Sequence, residues 1–253
     1  MKKQLLLLAA LALVLNPTPM HAQFGPPGGN LGPKFDATLS KLFGENSAFS
    51  AVLELQTKDG GSGEAMNMPG KIAFLEGRSR FEMDMTQLKG GKIPPEAAAQ
   101  MKAMGMGEMI IISRPDKKLV YMVYPGLQAY VENETKDPDD PKAADQWKID
   151  ITELGKETVQ GHPCVKNKVI VTDSKGDKHD SIVWNATDLK KFPVKIVTSV
   201  RNTETTMLFK EIKLAKPDGA QFEAPKDFKR YDNMGSMFQE EMMKRAAGGQ
   251  PKR

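Results

Sequence analysis

His162-Pro163-Cys164 is the one place in the chain where a thiol and an imidazole lie close together. On a strand, residues two apart point to the same face, so both side chains would share a surface. A thiol nucleophile needs a base beside it and a third group to orient that base. No such acid and no oxyanion-forming motif accompanies the pair. Val165, Val169 and Val171 instead mark a strand entering a core, where a lone thiol behaves as a small hydrophobe. Zinc at this point would need further ligands from carboxylates or His179, at no characteristic spacing. G-x-S-x-G, P-loop and G-x-G-x-x-G patterns do not occur, and Gly105-Met106-Gly107 is too short to cradle phosphate. The expectation is a non-enzymatic chain with no catalytic residue, no metal site and no cofactor.

Methionine is the unusual component. Of sixteen methionines, eight fall between Met66 and Met109, and three Met-x-Met pairs occur: Met66/Met68, Met83/Met85 and Met104/Met106. Soft thioethers select Cu(I), and two of them on one strand face could hold that ion. Met83 and Met85 are also in phase with Phe81, as core residues would be, and Met101 and Met104 lie on one stripe of a helix. An unbranched, polarizable side chain also suits a wall that accepts variable apolar ligands. Core or lid, ligand wall and copper site all remain open.

These residues sit in an export-type chain of 253 residues, 40% hydrophobic and 27% charged, which can form a sizeable core. Met1-Lys2-Lys3 precedes Leu5 to Leu15, a run of only Leu, Ala and Val. As a helix that run rises about 16 Å, roughly half a bilayer's hydrocarbon core. Asn16-Pro17 ends it, and Met20-His21-Ala22 offers a cut before Gln23, so residues 1–22 read as a secretory signal peptide. No later stretch approaches the length of a transmembrane helix, and the expected location is the periplasm. Cys164, the only cysteine, has no partner for an intramolecular disulfide. The net charge of +4 is small, and its basic residues are too scattered for nucleic-acid binding.

Residues 23–35 form a Gly/Pro-rich leader. Asp36 or Thr38 could cap a short helix carrying Leu39, Leu42 and Phe43. The period then changes to two: Phe49, Ala51, Leu53 and Leu55 alternate with polar residues, and Phe81, Met83 and Met85 alternate with Arg80, Glu82 and Asp84. Gly60-Gly61-Ser62-Gly63 and Arg114-Pro115-Asp116-Lys117-Lys118 read as hairpin turns. Pro94-Pro95-Glu96 opens a helix with Ala97, Met101 and Met104 on one stripe. Residues 133–146 read as an exposed loop. Later strands fall at Cys164 to Thr172, His179 to Asn185, Val194 to Val200 and Thr205 to Leu214. From Asn233 an amphipathic helix with Met234, Phe238 and Met242 on one side leads into a basic tail. The organisation is one antiparallel domain of about ten strands over residues 36–232, followed by a helix and tail over 233–253.

Several ordered segments resemble the DUF4412 group of exported bacterial proteins. They are Met68-Pro69-Gly70-Lys71-Ile72-Ala73-Phe74-Leu75-Glu76-Gly77-Arg78-Ser79-Arg80-Phe81-Glu82-Met83, Met109 to Ile112 with Leu119 to Pro125, Gly161 to Lys166, Ile182 to Leu189, and Phe222 to Phe228. The resemblance implies a LolA-like fold, that of the periplasmic lipoprotein carrier: a strongly curved antiparallel sheet, an unclosed half-barrel, wrapping one or more helices. In lipid-carrying relatives of that fold, the hollow takes acyl chains. The specific basic residue that latches the lid there has no counterpart on this chain, and the C-terminal helix is an addition.

The function expected is binding of a lipid or other apolar small molecule in the concave face. Phe74, Phe81, Met83, Met101, Met104, Tyr121, Val123 and Trp184 are the expected lining, with plain core packing as the alternative for each. A Met-rich Cu(I) protein and a structural subunit with an envelope protein partner are the competing readings.

Overall fold

A strand with one buried face alternates apolar and polar residues, and this chain repeats that pattern along most of its length. In the computed structural model the described residues are 37–90, 94–135, 147–173, 175–200 and 202–248. The signal peptide, the Gly/Pro leader, the acidic run Asp137 to Asp145 and the last basic residues lie outside them, as does a cap from Asp36.

Thirteen described strands form one sheet. They are β1 (Ala48–Asp59), β2 (Ala65–Leu75), β3 (Arg78–Asp84), β4 (Lys89–Gly90), β5 (Glu108–Arg114), β6 (Leu119–Tyr124) and β7 (Ala129–Glu134), then β8 (Lys148–Val159), β9 (His162–Thr172), β10 (Lys178–Ala186), β11 (Phe192–Val200), β12 (Thr203–Lys213) and β13 (Lys229–Tyr231). The order is β13-β7-β6-β5-β3-β2-β1-β12-β11-β10-β9-β8, with β4 added beside β2. Among the described residues every neighbouring pair is antiparallel except β13 with β7. Two meanders therefore meet at one seam, β1 against β12, and the sheet stays open between β8 and β13. The fold is mainly β, as expected, with more strands than the pattern suggested. Two of the extra strands, β4 and β13, are very short. The third, β8, is twelve residues long and almost wholly exposed, so it carries no apolar contrast.

Helices are few: α1 (Ala37–Leu42), α2 (Pro95–Ala103) and the C-terminal α3 (Met234–Gly248). Among the described residues, no helix is long and apolar enough to cross a membrane. Met237 is the fully buried residue of α3, with Met234 and Phe238 partly covered; Met242, expected on the same side, is 62% exposed.

Antiparallel partners share a face, so the register sorts the side chains. Phe49 opposes Phe74, Ile72 opposes Phe81, Leu53 opposes Phe209, and Ile196 opposes both Val183 and Met207. Against this first face α1 brings Leu39 and Leu42, and Phe43 follows directly behind them, all buried. The Phe43 ring lies 4.7 Å from Phe49, 5.5 Å from Phe74, and 5.7 Å from both Phe192 and Phe209, centroid to centroid. Asn46 fixes the exit from this plug by donating to the carbonyls of Phe43 at 3.0 Å and Lys190 at 3.2 Å.

The second face has its own core, made of Ala73, Leu75, Ile112, Tyr121, Val123 and Phe222. Residues 219–228 run across it as a strap whose Phe222 is fully buried, with Ala224 and Phe228 packed alongside. Three arginines hold the strap. Arg114 grips both carboxylate oxygens of Asp116, at 2.9 and 2.7 Å, and donates to the Phe222 carbonyl at 3.2 Å and to Glu223. Arg80 donates to the Gln221 carbonyl at 3.1 Å, and Arg78 lies 5.6 Å from the Phe222 ring centre.

Candidate functional site

Four buried methionines gather at one end of the first face. Gly70 opposes Met83 and Met83 opposes Met109, so β2, β3 and β5 present one surface there, and Met68 lies two residues before Gly70 on the same side. Met68, Met83, Met85 and Met109 are each no more than 4% exposed. Met85 belongs to a single helical turn, Met85–Gln87, that follows β3. Asp84 caps this turn by accepting from the Thr86 amide at 2.9 Å and from its hydroxyl at 2.6 Å. The Thr86 hydroxyl is the main reason the Asp84 carboxyl is held below its ordinary range.

α2 packs on that turn and carries Met101, with Met104 as its C-cap, both half-buried. Glu96, Ala99, Gln100, Lys102 and Ala103 face water. The helix ends at Gly105, whose φ of +78° favours glycine. A Cβ at Gly105 would sit 2.7 Å from the Gly126 carbonyl oxygen, and one at Gly126 would sit 2.5 Å from the Gly105 carbonyl oxygen. Two glycines thus let the end of α2 rest backbone-on-backbone on the turn after β6. The Met85 amide donates to the Gly107 carbonyl at 2.7 Å and ties the following residues to the sheet.

Replacing Gly105 with alanine should unseat α2 at a cost of about 1–3 kcal/mol, through the clash and the positive φ. Hydrogen exchange then speeds up at amides 95–106 while β1 and β2 keep their protection. Unchanged exchange in α2 would mean that this contact does not hold the helix.

The eight expected lining residues fall on two faces. Phe74, Phe81 and Met83 share the first face, with α2 bringing Met101 and Met104 toward its methionine end. Tyr121 and Val123 point the other way, because Ile112 opposes Tyr121 and Arg80, and Ile110 opposes Val123 and Glu82. They pack beneath the strap. Trp184 also faces away from the phenylalanines, since it opposes Lys195 on β11 and Lys166 on β9. The Lys195 ammonium is 4.4 Å and the Lys166 ammonium 5.0 Å from the indole ring centre. The indole N–H donates to Glu157, and this bond is the main cause of that carboxyl's lowered pKa.

The Cys/His pair is separated in chemical role. The Cys164 thiol is buried and donates to the His162 backbone carbonyl at 3.3 Å. Burial raises its pKa, which favours the neutral thiol over the nucleophilic thiolate. The His162 ring instead pairs with Asp188 at 2.8 Å. Sequence reasoning missed that acid, and it missed the Arg114 network. In both cases the partners are distant in the sequence or belong to a turn.

The sequence model of a domain of unknown function, DUF4412, matches residues 63–192. The chain belongs to the DUF4412 family. The DUF4412 match takes in β2 through β10, and so the methionine wall, α2, Arg114 and Trp184; β12, the strap and α3 follow it. No curated protein matches the chain in sequence.

Among solved structures the chain is similar to a LolA superfamily protein from Nitrosomonas europaea, at 8% identity and TM-score 0.38, over 75% of this chain and 96% of that one. It is similar to the lipoprotein LppX of Mycobacterium tuberculosis at 6% identity and TM-score 0.38, over 70% and 93%. It is also similar to the MucA/MucB complex of Pseudomonas aeruginosa at 12% identity and TM-score 0.35, over 76% of this chain and 62% of that one. The chain thus spans less than two thirds of that last structure's matched chain. All three likenesses are distant in sequence and in shape.

Proposed function

We propose that this DUF4412 protein is a non-enzymatic binding or carrier protein of the periplasm that takes a lipid or other apolar ligand against the methionine wall beneath α2. The observation that carries this reading is the wall itself: four buried thioethers on β2, β3, the turn after β3, and β5, covered by a nine-residue helix that brings half-buried Met101 and, at its C-cap, Met104. Methionine side chains adapt their shape at little cost, which suits a space that must close when empty and open when filled. The other end of the same face is occupied by Phe43, so the ligand belongs at the α2 end. Each buried CH₂ of an acyl chain contributes about 0.8 kcal/mol, so a chain only partly enclosed would still bind.

Copper is the second reading, and the clustering of Met68, Met83, Met85 and Met109 favours it. Native mass spectrometry of protein recovered gently from the periplasm separates the two. Lipid carriage gives several hundred daltons of extra mass that organic solvent releases and that survives Met83→Leu with Met85→Leu. A copper increment lost in the same variant would replace lipid with metal. A co-purified protein in place of either would point to an envelope subunit.

Peroxide footprinting locates the ligand. A bound fatty acid should slow oxidation of Met101 and Met104 and leave exposed Met242 and Met243 unchanged. Protection only of the latter pair would remove the ligand from α2.

A further inference from the structure

The depression above Trp184 lies on the second face, away from the methionine wall, and it differs from that wall in chemistry. It has a volume of about 330 Å³. Trp184 and Lys195 form part of its floor, with Gln56 of β1 and Thr206 of β12 beside them, and Glu157 and Gln160 come from the end of the β8–β9 hairpin. The bulge at Gly155, where register shifts between Glu153 and Gly155, bends β8 just before this hairpin end. The hairpin therefore supplies one wall and the sheet the other.

The charges in this groove do not balance. Two ammonium groups stand over one indole, and the carboxylate within reach is that of Glu157, 3.7 Å from Lys166. Among the described residues Lys195 makes no ion pair within 4 Å, although its side chain is only partly exposed, and Glu157 acts on it from beyond that distance while bonding to Trp184 and pairing with Lys166. A half-desolvated ammonium needs compensation, and a cation over a tryptophan face recovers only about 0.5–1 kcal/mol at such a site. The walls add neutral hydrogen-bonding groups: the amides of Gln56 and Gln160 and the hydroxyl of Thr206. A surplus positive charge beside amide and hydroxyl groups suits a small oxyanion.

We infer that the Trp184 groove binds a phosphate group, free or in a lipid headgroup, with Lys195 as its main charge partner and Lys166 beside it. The groove is independent of the apolar site, since the two open on opposite faces of the sheet.

Indole fluorescence reads occupancy directly, and in a Trp147→Phe background Trp184 is the only tryptophan of the two in the chain. The full mature chain is titrated with inorganic phosphate, and separately with vesicles of phosphatidylglycerol or phosphatidylcholine. A saturable change with phosphate marks a free anion as the source; one seen only with phosphatidylglycerol marks a lipid headgroup. Either supports the site if Lys195→Gln weakens it about tenfold and Lys195→Arg restores it. Circular dichroism melting confirms that the variants are folded, and Lys166→Gln serves as the readout if Lys195→Gln is not. No saturable response to phosphate or phosphatidylglycerol, or a response that Lys195→Gln leaves unchanged, overturns the inference.

Discussion

Phe43→Ala should lower the free energy of unfolding by about 3–5 kcal/mol, the range for deleting a fully buried aromatic side chain. The residue is 1% exposed and its ring lies against those of Phe49, Phe74, Phe192 and Phe209, so four ring neighbours lose contact at once. These partners come from β1, β2, β11 and β12, which cannot all move inward to fill the space. For a domain of this size the loss corresponds to a drop in Tm of about 10 °C. The remaining void is lined by aromatic rings and should stay dry, so benzene ought to bind it and recover part of the lost Tm. A drop under 1 kcal/mol with no effect of benzene would show that α1 does not seat this ring in the sheet.

Arg114→Leu is the second large effect, expected at about 2–3 kcal/mol in urea unfolding. It removes the partner of two carboxylates and of the Phe222 carbonyl together. The loss falls below that of a fully buried pair, because Asp116 and Glu223 are about half exposed and water screens them. The pH dependence should change with it. The guanidinium holds the Asp116 carboxyl below its ordinary 3.8, while Lys117 first and Arg114 second hold Glu223 below 4.5. Lowered folded-state values mean that the stabilisation is complete above the ordinary values and is lost as pH falls through the lowered ones. In Arg114→Leu the Asp116 share disappears and the Glu223 share shrinks, so stability between about pH 5 and pH 2 should fall less steeply than in the parent. An acid limb of unchanged slope would place the linkage elsewhere.

Much of the sheet was legible because its strands differ between their two faces. Phe49 to Leu55 and Phe81 to Met85 alternate cleanly, and the turn Gly60-Gly61-Ser62-Gly63, with Gly63 at positive φ, separates β1 from β2. The same reasoning failed where contrast was missing. β5 carries Ile110, Ile111 and Ile112 in succession and β6 is apolar from Leu119 to Tyr124, because one side faces the α2 end and the other the strap. Nothing local then says which way Tyr121 points. Trp184 sits beside buried Val183, and only register against Lys166 and Lys195 assigns it to the other face. β8 was invisible for the opposite reason, since water reaches nearly all of it. The plug illustrates the last limit: Leu39, Leu42 and Phe43 announced an apolar stripe, but its destination depends on strands that come much later in the chain.

The seam between the two meanders has a kinetic consequence. Each meander pairs neighbours that are close in the chain, and such hairpins close fast. β1 joins β12 only when residues near 52 meet residues near 210, across almost the whole described chain. That closure carries the largest loop entropy in the molecule and should set the folding rate. A cross-link between the start of β1 and the end of β12, where Ser50 opposes Lys213, would hold the seam's ends together in the unfolded chain and speed refolding, while leaving the pairing itself intact.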